Sequence, residues 1–148
     1  MSNIRVICVS NNKELKISQK IREVVFCEEQ KVSKKIEFDG LDKGCDHFLI
    51  LKNDKPVGTA RLREKEPGVY KIERVAVLRD YRLLGLGALL MKEVIKNSLN
   101  KKSLEKILLH SQTQVKHFYK KLGFEPEGSE FFEDDIPHIK MIYNFKTL

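Results

Sequence analysis

The chain has 148 residues, 41% of them hydrophobic and 33% charged, a balance that suits one globular domain over 1–148 and excludes a disordered chain. Its 28 lysines and arginines exceed 21 acidic residues, for a formal net charge of +7 that favours polyanionic partners, either nucleic acid or a phosphorylated cofactor. No apolar run approaches the ~20 residues of a membrane-crossing helix, and MSNIRVICVS lacks the basic-then-apolar form of a signal peptide. The three cysteines (Cys8, Cys27, Cys45) show neither C-x-x-C nor zinc spacing, which points to reduced thiols and a cytoplasmic setting.

Residues 4–9 are an apolar run that predicts a first strand. Ser10-Asn11-Asn12 offers helix caps, and Ile17, Ile21, Val24 and Val25 recur at helical spacing, so a helix is expected to about Phe26. From Cys27 to Gly44 the chain turns polar, yet Val32, Ile36, Phe38 and Leu41 recur within it. It reads as a lobe folded over one end of a sheet. Strands are expected over 47–51 and 57–63 around the Asn53-Asp54-Lys55-Pro56 turn. Glu66-Pro67-Gly68 then leads into a third, completing an antiparallel meander.

The third strand ends in Val75, Ala76 and Val77 and is followed by Arg82-Leu83-Leu84-Gly85-Leu86-Gly87. Leu86, Leu89, Leu90 and Val94 then mark an amphipathic helix. Two glycines at a helix start let a ligand approach the backbone. The first-turn N–H groups there are unpartnered and sit at the positive end of the helix dipole, a ready phosphate site to which Arg82 adds charge. By itself a G-x-G pair is ordinary turn chemistry. Leu90 stands where a Rossmann turn needs its third glycine, and no G-K-[ST] follows, so neither that turn nor a P-loop is present.

Beyond this helix, Ile107-Leu108-Leu109 reads as a strand buried on both faces. Ser111 to Gln114 has capping-box spacing, opening a helix that carries Val115, Phe118, Tyr119 and Leu122 and stops at Gly123. Strands are expected over 124–132 and 139–145 around Asp134-Asp135-Ile136-Pro137. A meander followed by alternating β and α predicts an α/β (α+β) fold with helices on the faces of a mixed sheet.

Two separated motifs resemble those of the GNAT N-acetyltransferase superfamily. One is R-x-x-G-x-G directly after V-A-V. The other is Gln112-x-x-Val115-x-x-Phe118-Tyr119-x-x-Leu122-Gly123-Phe124, with Gln112 in place of the usual Asn and Val115 in place of the usual Ala. A closer likeness, to the subgroup typified by ElaA and YjcF, rests on three stretches. These are Val25-Phe26-Cys27-Glu28-Glu29-Gln30, Glu73-Arg74-Val75-Ala76-Val77, and 128–141 with Ile136-Pro137-His138-Ile139. The resemblance implies a GNAT-like mixed, mostly antiparallel sheet of about seven strands flanked by helices. It implies direct transfer of an acetyl group from acetyl-CoA to a primary amine of a small molecule or peptide. It further implies cofactor contacts from Val75, Ala76 and Val77, from Arg82, Leu83, Leu84, Gly85, Leu86 and Gly87, and from Gln112, Val115 and Phe118. Tyr119 stands where the family keeps the tyrosine that protonates the departing thiolate.

Acyl transfer needs a polarised thioester, a deprotonated amine and a proton for the thiolate. A phenol titrates at about 10, so Tyr119 keeps its proton at neutral pH. Glu73 shares a strand face with Val75 and Val77 and is the candidate base; its alternative is an ion pair with Arg74 or Arg61. Phe26, Glu29 and Gln30 of the lobe, with His47 and His138 at strand starts, are the expected acceptor contacts, the two histidines converging at one end of the sheet. The acidic residues Glu28, Glu29, Glu37, Asp39 and Asp42 suggest a cationic amine or a solvated surface. No metal is implied, since His47, His110, His117 and His138 share no ligand spacing. A non-catalytic acyl-CoA sensor and a basic nucleic-acid-binding module are the rival readings. Against the latter, the basic residues are spread along the chain. The edge strands of such a fold leave a homodimer open.

Overall fold

The computed structural model describes residues 2–147. Its seven strands are β1 (Ile4–Cys8), β2 (Asp46–Lys52), β3 (Lys55–Glu66), β4 (Val69–Val77), β5 (Lys106–Gln112), β6 (Phe124–Glu133) and β7 (Ile136–Tyr143). They form one sheet in the order β1-β2-β3-β4-β5-β7-β6, antiparallel throughout except for the parallel β4–β5 pair. Four helices flank it: α1 (Asn12–Arg22), α2 (Lys34–Glu37), α3 (Leu86–Leu99) and α4 (Lys116–Lys121). The expected meander is β2-β3-β4, and the α3 connection supplies the crossover that a parallel pair requires.

Two apolar layers hold the helices on. Leu86, Leu90, Met91 and Val94 of α3 pack on Phe48, Ile50, Leu62, Ile72 and Leu109 on one sheet face. On the other, Ile21 and Val25 pack on Leu49, Leu51 and Ala76. The start of α1 is a reciprocal cap: Glu14 N–H donates to Asn11 Oδ1 at 2.9 Å and Ser10 N–H donates to Glu14 Oε1 at 2.8 Å.

The structure departs from the expected elements in three places. The first helix does not continue as α to Phe26; after Arg22 it widens into a π-helical segment, Glu23–Glu29, closed by Gln30 N–H donating to Val25 O at 3.3 Å. Ser111 and Gln114 form no capping box. Ser111 and Gln112 instead extend β5, where Gln112 pairs with His138, and a 3₁₀ turn (Thr113–Val115) precedes α4. Cross-strand pairing here outweighs local capping. The last hairpin is also tighter than expected: Asp134 (φ 53°) and Asp135 (φ 63°) make a two-residue left-handed turn, so β7 begins at Ile136.

Under the polar lobe lies a buried ion network. Arg22 and Arg61 are 1% and 0% exposed. Arg22 Nε donates to Glu37 Oε2 at 2.8 Å and its Nη1 to Asp42, while Arg61 reaches Asp39, Asp42 and Glu73. The lobe is therefore stapled by charge to α1 through Arg22 and to β3 through Arg61.

Candidate active site

The site begins with a bulge. Arg61 pairs with Glu73 and Thr59 with Ala76, so Ala60 alone faces both Arg74 and Val75. Arg74 takes φ 56°, a left-handed backbone costing about 1–2 kcal/mol that surrounding contacts must hold. Its guanidinium supplies them, with Nε 3.0 Å from Glu37 Oε2 and Nη2 3.3 Å from Asp39 Oδ2. A bulge bends and twists its strand. β4 accordingly pairs with β5 only as far as Ile72–Leu109, and residues 73–77 diverge from it to open a wedge. The wedge leads into a cavity of about 520 Å³ that spans the sheet centre.

At one end of this cavity is the helix start. Gly85 caps α3 in the left-handed conformation (φ 77°), with no side-chain cap, leaving the first-turn amides free. Leu83 also has positive φ (64°) and is wholly exposed, so the loop turns its backbone rather than side chains toward a ligand. A Cβ at Gly85 would meet nothing within 4 Å, whereas one at Gly87 would lie 3.4 Å from the Phe118 ring. A Cβ at Gly87 would thus make only ordinary contact with Phe118, leaving the backbone approach to a ligand as the reason for glycine there. Arg82 donates from Nε to Val77 O at 2.8 Å and from Nη2 to Glu29 at 2.9 Å, which anchors the guanidinium beside the loop.

Tyr119 sits midway, 9% exposed, edge-on to Phe118 and Phe124. Burial pushes its phenol up to about 12, so the proton stays on oxygen across physiological pH. Gln112 lines the cavity and donates from Nε2 to Gln30 Oε1 at 2.9 Å, joining β5 to the lobe.

At the other end, Glu73 is held by three cations. Arg63 Nε lies 2.8 Å, Arg61 Nη2 2.9 Å and Lys71 Nζ 3.2 Å from its carboxylate. Burial alone would raise its pKa, but the Arg63 hydrogen bond and the Arg61 and Lys71 charges outweigh burial and bring it to about 2. A carboxylate that weakly basic is poorly matched to taking a proton at neutral pH. The ion-pair alternative describes Glu73 better, with Arg61 as one partner; Arg74 belongs to Glu37 and Asp39 instead.

Of the expected acceptor contacts, Phe26, Gln30 and His138 line the cavity. Glu29 does not; it pairs with Arg82 and Arg79. His47 does not either. It is buried on β2, separated from His138 by β3, β4 and β5, with Nε2 2.8 Å from Asp42 O. The two histidines therefore do not converge, and burial lowers the His47 pKa. Glu37, Asp39 and Asp42 are consumed by arginines, so the acidic lobe holds the fold and offers no free carboxylate cluster to an ammonium. Among the cofactor contacts, Val75, Ala76, Val77, Arg82, Leu83, Gly87, Gln112, Val115 and Phe118 line the cavity, whereas Leu86 is in the core and Leu84 is half exposed. Lys71, His110, Glu133 and Asp134, none of them expected as site residues, also line the cavity; strand alternation places His110 on the face of Gln112. Among the described residues no group of His, Cys, Asp and Glu could hold a metal ion.

The cavity is thus a long cleft with free helix-end amides at one end, a strand edge along its wall and a buried phenol beside it. The chain belongs to the GNAT acetyltransferase family, whose domain model matches residues 15–145. It is 34% identical over 140 residues to the uncharacterized N-acetyltransferase YjcF of Bacillus subtilis (strain 168), covering 94% of this chain and 99% of that one. An acyl-CoA N-acyltransferase from Pseudomonas aeruginosa superposes with a TM-score of 0.85 at 27% identity, covering 96% and 100% of the two chains. Escherichia coli ElaA gives 0.82 at 26% identity, covering 97% and 100%. The chain is thus an acetyl-CoA-dependent N-acetyltransferase with the mixed, mostly antiparallel seven-stranded sheet expected of it.

Proposed function

We propose that this enzyme binds acetyl-CoA with its pyrophosphate on the free amides of 85–88 beside Arg82 and its pantetheine arm along the diverged edge of β4. The amine acceptor then enters from the end lined by His138. The observation that carries this is the wedge itself: the Arg74 bulge frees residues 75–77 from β5, at the place where a thioester would need backbone donors. Phe118 and Val115 flank the arm, and Tyr119 protonates the departing thiolate. Gln112, tied to Gln30, closes the wall between the two ends.

Glu29, Glu37, Asp39 and Asp42 of the lobe are occupied by arginines, so recognition of the acceptor ammonium falls to Asp134 of the last hairpin, with Phe26 as an apolar contact. A primary amine of a small molecule or peptide fits this end. The three cysteines are unpaired, which agrees with a reducing compartment, the cytoplasm. The test is thiol release from acetyl-CoA across amines, polyamines, aminoglycosides, amino acids and peptide N-termini. Amine-dependent release with equimolar amide product is expected. Binding of acetyl-CoA with no release for any class would favour the sensor reading.

A further inference from the structure

We propose that His138 is the general base of the transfer, with Glu133 stabilising the imidazolium that forms and His110 steadying Glu133. This rests on the N-acetyl transfer reading above. His138 lies on β7, is 8% exposed and lines the cavity. Its Nδ1 is 2.7 Å from Ile136 O. A carbonyl can only accept, so the neutral ring carries its proton on Nδ1 and its lone pair on Nε2.

That lone pair is not consumed. The nearest carboxylate oxygen, Glu133 Oε2, is 3.9 Å from Nε2, beyond hydrogen-bonding distance, so it leaves the lone pair open and stands beside the nitrogen that would take the proton. His110 Nδ1 lies 3.4 Å from the same oxygen and is otherwise a buried nitrogen without a hydrogen-bond partner. Phe131, paired with His138 across β6–β7, stacks on its ring at 6.1 Å and meets His110 edge-on at 5.0 Å, which fixes both ring planes. The remaining charged neighbours are accounted for. Lys71 is paired with Glu73, Lys140 with Glu127, and Asp134 lies at the turn of the same hairpin. Glu73, ringed by three cations, has none of this freedom.

The protons balance. The acceptor ammonium gives one proton to His138 Nε2, and the free amine attacks the thioester carbonyl carbon. As the C–N bond persists and the C–S bond breaks, the electron pair leaves on sulfur, which takes the Tyr119 proton. The nitrogen loses its second surplus proton to the tyrosinate. One proton is released overall, from His138 to solvent.

Two measurements test this. In ¹⁵N-histidine spectra of the full chain, His138 is expected as the Nδ1–H tautomer at neutral pH, and Glu133→Gln is expected to lower its titration midpoint. An Nε2–H tautomer, or a midpoint that ignores Glu133, overturns the proposal. In the rate arm, n-butylamine, an ammonium at neutral pH, is compared with 2,2,2-trifluoroethylamine, already a free base. His138→Gln should slow the first by about 10²-fold and leave the second nearly unchanged, with the deficit closing as pH rises. Equal losses for both amines would overturn the assignment. If neither probe is acetylated, the tautomer and titration decide. Failure of the wild-type chain to bind acetyl-CoA in calorimetry would instead defeat the acyl-transfer reading, leaving the His138 tautomer result to stand or fall by itself.

Discussion

Glu29 holds Arg82: the carboxylate, on the π-helical segment, lies 2.9 Å from the guanidinium beside the α3 start. The lobe thereby touches the loop proposed above to take the cofactor phosphates. A carboxylate so close to a pyrophosphate competes with it for the arginine. Glu29→Gln is expected to tighten acetyl-CoA binding by about threefold, the scale of a partly exposed ion pair, and calorimetric titration measures it. Weaker binding would show that Glu29 instead positions Arg82 productively.

Tyr119→Phe keeps the ring against Phe118 and Phe124 and removes the acid. Turnover should fall by about 10²-fold, the usual scale for one general acid, with acetyl-CoA affinity unchanged. The neutral phenol is already assured by its pKa of about 12, so no acidic limb of the pH profile below neutrality belongs to it. Near-wild-type turnover would make Tyr119 a packing residue.

Glu73→Gln should act on stability. It leaves Arg61, which is 0% exposed, short of one of its carboxylates, and breaking such a pair costs about 3 kcal/mol. Thermal unfolding measures this. Any loss of rate should be constant with pH, unlike that of a lost base.

The same carboxylate predicts acid lability. Its folded pKa of about 2 lies below the unfolded value of about 4.3. The unfolded chain therefore binds the proton first, and the stabilisation is full above about pH 5 and fades as pH falls toward 2. Asp39, held well below the usual carboxylate range by hydrogen bonds from Arg61, acts in the same direction. Melting temperature should drop steeply between pH 5 and 3, and Glu73→Gln should flatten part of that slope. An unchanged slope would place the acid-sensitive group elsewhere.

Much of the scaffold was legible because it is written in local periodicity. The 107–109 run, the α3 leucines and Gly123, which takes φ 103° at the α4 end, follow directly from residue order. Of the ion network only the Glu73–Arg61 pair was. Arg22 meets Glu37 from 15 residues away and Arg74 meets Asp39 from 35, so those acids looked like a solvated face. Nor does a 3.6-residue pattern announce a π-helical turn, although that turn presents Phe26 to the cavity and Glu29 to Arg82. The meeting of Glu133 with His110 is hidden for a related reason. Their meeting depends on the β5-β7-β6 order, which no local signal carries.

The pyrophosphate of acetyl-CoA is expected on the α3 start beside Arg82. Titrating wild type and Arg82→Ala with acetyl-CoA and with acetyl-pantetheine, which lacks that pyrophosphate, tests it most directly. Arg82→Ala should weaken acetyl-CoA binding by about tenfold, the scale of one charge-assisted contact, and leave acetyl-pantetheine unaffected. Equal effects on both ligands, or none on acetyl-CoA, would contradict the account.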